Sequence, residues 1–165
     1  MPATAATMAL MAQVKVDCEK GTVKVERVAC AQDMGLPINP EGAKLQIEGC
    51  ITMGLGYALM EEVVTKDGMI QNLNLQDYII PTALDTPEIK PIYVEYLNVH
   101  GPFGAKGIGE MPNIPAAPAI TNAIANAVGA KKIIALFGPT DPAVTGPFPA
   151  KNAIIIRKDT GCKIP

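Results

Sequence analysis

An α+β fold, with a mixed sheet and packed helices, is predicted by three features of this sequence. Two segments near the start alternate apolar and polar residues, as strands with one face on a core do. Two later segments carry apolar residues at helical spacing. The elements follow one another without internal repeats and without the regular strand–helix–strand rhythm of a parallel α/β sheet.

Gln13-Val-Lys-Val-Asp17 and Thr22-Val-Lys-Val-Glu26 flank Glu19-Lys20-Gly21. That order predicts a β-hairpin, its second strand running on through Val28, Ala29 and Cys30. Asp33-Met-Gly-Leu-Pro-Ile-Asn-Pro40 reads as a turn-rich loop, with Asp33 and Asn39 as turn-forming and capping residues. A helix is expected from about Glu41 to Val63, with Ile47, Ile51, Leu55, Ala58 and Leu59 on its apolar side. Gly49, Gly54 and Gly56 lie inside it, each costing roughly 1 kcal/mol against alanine. Something must therefore pack close to this helix, either another backbone or a cofactor. Thr65 to Gly68 is a second turn, and Pro81 interrupts regular structure. Ile89 to Val99 reads as a strand with Ile92, Val94 and Tyr96 on one face. A second helix is expected from about Pro115 to Val128, its stripe made by Ile120, Ala123, Ile124, Ala127 and Val128. Pro115 and Pro118 suit its first turn and Gly129 its C-terminal cap. Lys132 to Phe137 and Ala153 to Ile156 are short strand candidates.

With 165 residues, 48% hydrophobic and 18% charged, the chain suits one domain or two small lobes with a real core. A net charge of −2 and the absence of Trp argue against nucleic acid. No apolar run approaches the roughly eighteen residues that span a bilayer, so no membrane role is expected. Met1 to Met11 lacks the basic start of a signal peptide. Cys18, Cys30, Cys50 and Cys162 form no CxxC pair, which argues against zinc or iron–sulfur ligation. They are expected to be reduced and buried, in a cytoplasmic protein. His100 is the single histidine and is expected to be structural; no residue is assigned as a metal ligand.

Gly101-Pro-Phe-Gly-Ala-Lys-Gly-Ile-Gly-Glu110 gathers four glycines before one carboxylate. Glycine permits close approach of backbone to a ligand, and a glutamate held there is a candidate catalytic base. The plainer alternative is a glycine-rich helix entry with an exposed acid. Lys106 could pair with Glu110, meet a phosphate, or be a solvated lysine.

Four motifs, taken with their order and spacing, carry a family resemblance. They are Val14-Lys-Val-Asp17 with Gly21, Asp33-Met-Gly-Leu-Pro-Ile-Asn-Pro40, Gln46-Ile-Glu-Gly-Cys-Ile-Thr-Met-Gly-Leu-Gly56, and Gly104-Ala-Lys-Gly-Ile-Gly-Glu110. Asp77-Tyr78 and Pro81-Thr82 fall between the last two. Together they resemble the C-terminal part of the molybdenum-binding subunit of the xanthine dehydrogenase/aldehyde oxidase family, over about residues 12–142. Residues 143–165 form a proline-rich tail outside the resemblance. The domain division expected is a molybdopterin-binding lobe over 1–142 and this tail. Lys15 stands where family members often carry an acid, at a site expected on the surface.

The resemblance implies a hydroxylase acting on a carbon of an aldehyde or N-heterocycle, with water as the oxygen source. It implies a molybdenum–molybdopterin cofactor, often the cytosine dinucleotide form, shared with a partner chain. Glu110 would be the general base, Gln46 would hydrogen-bond the pterin, and Gly107 and Gly109 would offer backbone N–H groups. Iron–sulfur clusters and FAD would reside on other subunits, and the rest of the molybdenum subunit would be the main partner. Family subunits are far longer, so a split subunit, a fragment or a remnant is expected. The alternative is a detached domain that binds no cofactor and self-associates or binds a partner chain.

Overall fold

The computed structural model describes residues 6–129 and two further strands, Ile133–Phe137 and Ala153–Arg157. Strand β1 (Met8–Asp17) turns into β2 (Thr22–Asp33), and the two pair antiparallel as a long hairpin. Gly21 takes φ +66° in the turn, where Asp17 accepts the N–H groups of Glu19 and Lys20 through Oδ1. The first strand was expected at half this length, from Gln13, and the second was expected to end at Cys30, three residues before it does. In β1 the inward residues Met8, Leu10, Ala12 and Val14 alternate with Ala9 and Met11, whose apolar character hides the period.

The spacing of core residues in β2 changes parity: Val23 and Val25 are odd, Val28 and Cys30 even. A register shift between Gln13 and Val14, opposite Glu26, absorbs the extra residue, so Val25 and Val28 both enter the core. Strand β5 (Glu88–Val94) pairs with β2 in parallel, giving the order β1-β2-β5. The sheet is mixed, as expected. Its third strand ends five residues earlier than the pattern suggested. Gly35 (φ +61°) bends the chain away after β2, leaving β5 no partner beyond the Met34 N–H to Val94 carbonyl bond.

Helix α1 (Pro40–Leu59) packs against β5 and buries its inner side in the core beside β2. Asn39 caps it, its Oδ1 accepting from the Gly42 N–H at 2.9 Å, and Pro40 occupies the first turn. Asn39→Ala should cost about 1 kcal/mol, a fall of roughly 3 °C in melting temperature by circular dichroism. Ile47, Ile51 and Leu55 are buried against Val25, Val28, Cys30, Met34 and Ile120. The helix stops short of Val63 because the Gly56 carbonyl takes both the Met60 and Glu61 N–H groups. A two-stranded ribbon follows, β3 (Thr65–Lys66) with β4 (Met69–Ile70).

Helix α2 (Ala116–Ala127) lies against both α1 and β1. Its inward residues are Ala116, Ile120, Ala123 and Ile124; Ala127 and Val128 are exposed, narrowing the expected stripe. Gly129 takes φ +62° just past its end, as expected of a terminal glycine. Gly54 lets the two helices approach: a Cβ there would collide with that of Ala116. At Gly56 a Cβ would strike Glu61 and Pro81. Of Gly49, Gly54 and Gly56, the last two thus serve protein packing. Gly49 faces open space.

Strand β6 (Ile133–Phe137) and strand β7 (Ala153–Arg157) pair in parallel, so one strand of the proline-rich tail joins a sheet. Among the described cysteines Cys30 and Cys50 are buried and Cys18 is exposed at the hairpin turn, against the expectation of burial. Cys162 lies outside the described residues. Lys15 is exposed, as expected, and no described helix is long and apolar enough to cross a membrane.

Candidate functional site

Two motifs far apart in sequence meet at the end of β2. The Leu36 and Asn98 N–H groups both donate to the Gly104 carbonyl, at 3.2 and 2.9 Å. Gly35 bridges Ala105, and the Lys106 N–H donates to the Met34 carbonyl at 2.8 Å. Neither glycine can be replaced freely: Gly35 and Gly104 have positive φ, and a Cβ on Gly35 would collide with the Gly104 carbonyl.

Lys106 then turns inward. Its Nζ meets Asp33 Oδ2 at 2.6 Å, with side chains only 5% and 6% exposed. The ammonium also stands 4.8 Å from the centre of the Tyr96 ring. Lys106 is therefore the partner of Asp33 and not of Glu110. Asp33 is more than the turn former expected: one oxygen accepts the Gly35 N–H at 3.2 Å, the other takes the ammonium. Sequence reasoning had both residues in view but could not join positions 73 apart.

Burial pushes the Asp33 carboxyl upward, but Lys106 and the Gly35 and Tyr96 N–H groups outweigh it and hold it below its ordinary 3.8. A carboxyl with a lowered folded pKa stabilises the fold above its unfolded value and loses that contribution as pH falls through the folded one. Urea unfolding of the chain should show an added loss of stability below about pH 4, and Asp33→Asn should remove that acid limb.

After Lys106 the chain forms an open turn. Gly107, Gly109 and Glu110 are exposed, while Ile108 packs on the core. Nothing stands within 4 Å of where a Cβ on Gly107 or Gly109 would lie. Glu110 precedes a short 3₁₀ turn, Met111–Asn113, and makes no capping bond. Gln46 donates its amide Nε2 to the Gly109 carbonyl at 2.5 Å, and the Cys50 thiol donates to the same oxygen at 3.2 Å. Gln46 and Glu110, 64 residues apart by number, therefore share one surface. Gln46 Oε1 has no hydrogen-bond donor among the described residues.

The Cys30 thiol is pushed up to about 11 by burial and by Cys50 beside it. Cys50 is raised by burial and by the nearby Glu110 carboxylate, against a lowering by Gln46. Both thiols are thus protonated, and neither acts as a thiolate nucleophile. His100 is exposed at a turn held by its own N–H to Asn98 Oδ1.

The exposed face of α1 continues past Gln46 through Gly49, Met53 and Tyr57. A cleft of about 450 Å³ opens there, lined by Met53, Tyr57, Glu61, Asn113 and Ile114 among others. Glu61 in it accepts a short bond from the Tyr78 hydroxyl, 2.5 Å. Sequence reasoning missed this pair, although Tyr78 stands within the quoted motifs and Glu61 just after one of them. No group of three or more His, Cys, Asp or Glu among the described residues could hold a metal ion.

A mixed sheet with packed helices is the architecture this chain shares with the solved molybdenum hydroxylases. Residues 1–87 match the molybdopterin cofactor-binding domain, and the chain belongs to that family. It is 39% identical over 116 residues to the xanthine dehydrogenase molybdenum-binding subunit of Escherichia coli O157:H7, covering 69% of this chain and 15% of that one. Among solved structures it resembles the aldehyde oxidoreductase of Desulfovibrio gigas, with TM-score 0.69, 32% identity, and coverage of 75% of this chain and 14% of that one. Quinoline 2-oxidoreductase from Pseudomonas putida 86 gives TM-score 0.66 and 35% identity, over 72% of this chain and 16% of that one. The match thus spans about one seventh of the length of these relatives.

Proposed function

We propose that this chain supplies the general base and one wall of the cofactor site to a molybdenum hydroxylase. The reaction would oxidise a carbon of an aldehyde or N-heterocycle, with water as the oxygen source. The observation that carries this reading is the exposed Gly107–Glu110 turn, fastened to α1 through the Gln46 amide and bare of side chains on both glycines.

The residues present fit a molybdenum–molybdopterin group. Nothing lies within 4 Å of a Cβ built at Gly107, Gly109 or Gly49, so the backbone there is open to an approaching group, and the Gln46 amide keeps Oε1 available as an acceptor for a pterin N–H. Gly107 and Gly109 would offer backbone N–H groups. When bound, the group supplies the oxidising centre and the oxygen to be transferred, in the cytosine dinucleotide form. Glu110 would act as the general base, accepting a proton on its carboxylate once a donor lies within hydrogen-bond reach. Ile108 packing on the core keeps the turn close to α1. The remainder of the molybdenum subunit would close the site. Iron–sulfur clusters and FAD on further subunits would carry the electrons away.

Metal and pterin analysis of the chain from its native host, with co-purifying proteins identified by mass spectrometry, tests the reading. Stoichiometric molybdenum together with a large partner chain supports it. A protein that purifies alone, without metal or pterin, makes it a detached domain whose glycine turn is idle.

A further inference from the structure

We propose that Asp33 and Lys106 are positioning residues for Glu110: their buried ion pair sets the conformation of the Gly107–Glu110 turn, and through it the place of the carboxylate. The consequence for turnover rests on the reading of Glu110 as base; the structural claim stands apart from it.

Side chains within the turn hold it little. Gly107 and Gly109 contribute no side-chain packing, and Glu110 makes no capping bond. Ile108 anchors the middle on the core, and the Gly109 carbonyl anchors the far end on Gln46 and Cys50. The near end depends on Lys106. Its backbone N–H is bound to Met34, its ammonium to Asp33, and its charge lies over Tyr96.

An ion pair is a poor choice if the task were stability alone. Withdrawing two charges from water offsets most of their attraction, and apolar residues of the same volume often do as well. What a directed pair adds over an apolar contact is one allowed geometry, and this one joins the end of β2 to the residue preceding the turn. Geometry at that point matters for a base: displacement by about 1 Å can lower turnover about a hundredfold.

The test uses the full chain with Lys106→Met, Lys106→Arg and the double variant Asp33→Asn/Lys106→Met. The double variant removes both charges and keeps their shape, so it does not depend on a fold surviving a lone buried carboxylate. Backbone ¹⁵N order parameters are read at Gly107, Gly109 and Glu110, with the β1–β2 hairpin as reference. The expected result is a fall at the turn from near 0.85 to below about 0.6 in Lys106→Met and in the double variant, with the hairpin unchanged. Lys106→Arg should recover part of the order. An unchanged turn, or one that loosens only in step with the hairpin, overturns the proposal.

In the assembled enzyme, Lys106→Met should lower kcat by about ten- to a hundredfold with KM and molybdenum content held, and Lys106→Arg should partly restore it. A loosened turn with unaltered kcat also overturns the proposal. If the unmodified assembly shows no turnover, the hydroxylase reading fails, while the order parameters still decide the role of the pair in shaping the turn.

Discussion

Replacing Glu110 with glutamine in the assembled enzyme is expected to lower turnover by about 10²- to 10⁴-fold while molybdenum and pterin content stay unchanged. Glutamine keeps the shape of the carboxylate and removes its ability to accept a proton. Little else should change, because Glu110 is exposed, makes no capping bond and lies outside the packed core. The fold of the lobe should melt within about 0.5 kcal/mol of the unaltered chain, the range of surface substitutions. Turnover and cofactor content measured on one preparation separate the two effects. Retained turnover removes Glu110 from the role of base. Loss of pterin together with turnover makes it a binding residue instead.

The largest effect on stability is expected from Gly35→Ala. Alanine at φ +61° is strained by about 1 kcal/mol, and its methyl would collide with the Gly104 carbonyl. That oxygen cannot move aside without giving up its bonds to Leu36 and Asn98. The combined cost is about 3–4 kcal/mol, and the melting temperature should fall by roughly 10 °C. Gly21→Ala is the matched control: φ is +66°, but nothing stands within 4 Å of its Cβ. It should show the backbone strain alone, about 1 kcal/mol. Equal losses in the two variants would mean that the contact between Gly35 and Gly104 gives way easily.

These variants also mark where the sequence was readable. Alternation at Val14, Val16, Val23 and Val25 made the hairpin legible, and Pro115, Ile120 and Gly129 made α2 legible. Each signal is local. The length of β1 was hidden because Ala9 and Met11 are apolar on an exposed face. The change of parity between Val25 and Val28 was a signal for a bulge, readable only by requiring both residues to be buried. The glycines of α1 declared close packing, yet only the fold separates Gly54 and Gly56, which face protein, from Gly49, which faces open space. At the site, Glu110, Gln46, Gly107 and Gly109 came from the family resemblance. Their meeting on one surface is visible only in the fold, where Gln46 reaches the Gly109 carbonyl. The Asp33–Lys106 pair was out of reach for the same reason, since charge complementarity does not identify partners across 73 residues.

The place of Pro91 bears on how the lobe behaves when produced by itself. It stands within β5, the outermost strand of the order β1-β2-β5, opposite Cys30. Proline brings no N–H, so a foreign strand laid along that border would meet a missing donor midway and could not zip along its length. The exposed Ile92 and Val94, just past that gap, would otherwise make this border adhesive. The residue thus works as a gatekeeper against fibril growth. Replacing it with valine should turn a well-behaved preparation into one that binds thioflavin and sediments.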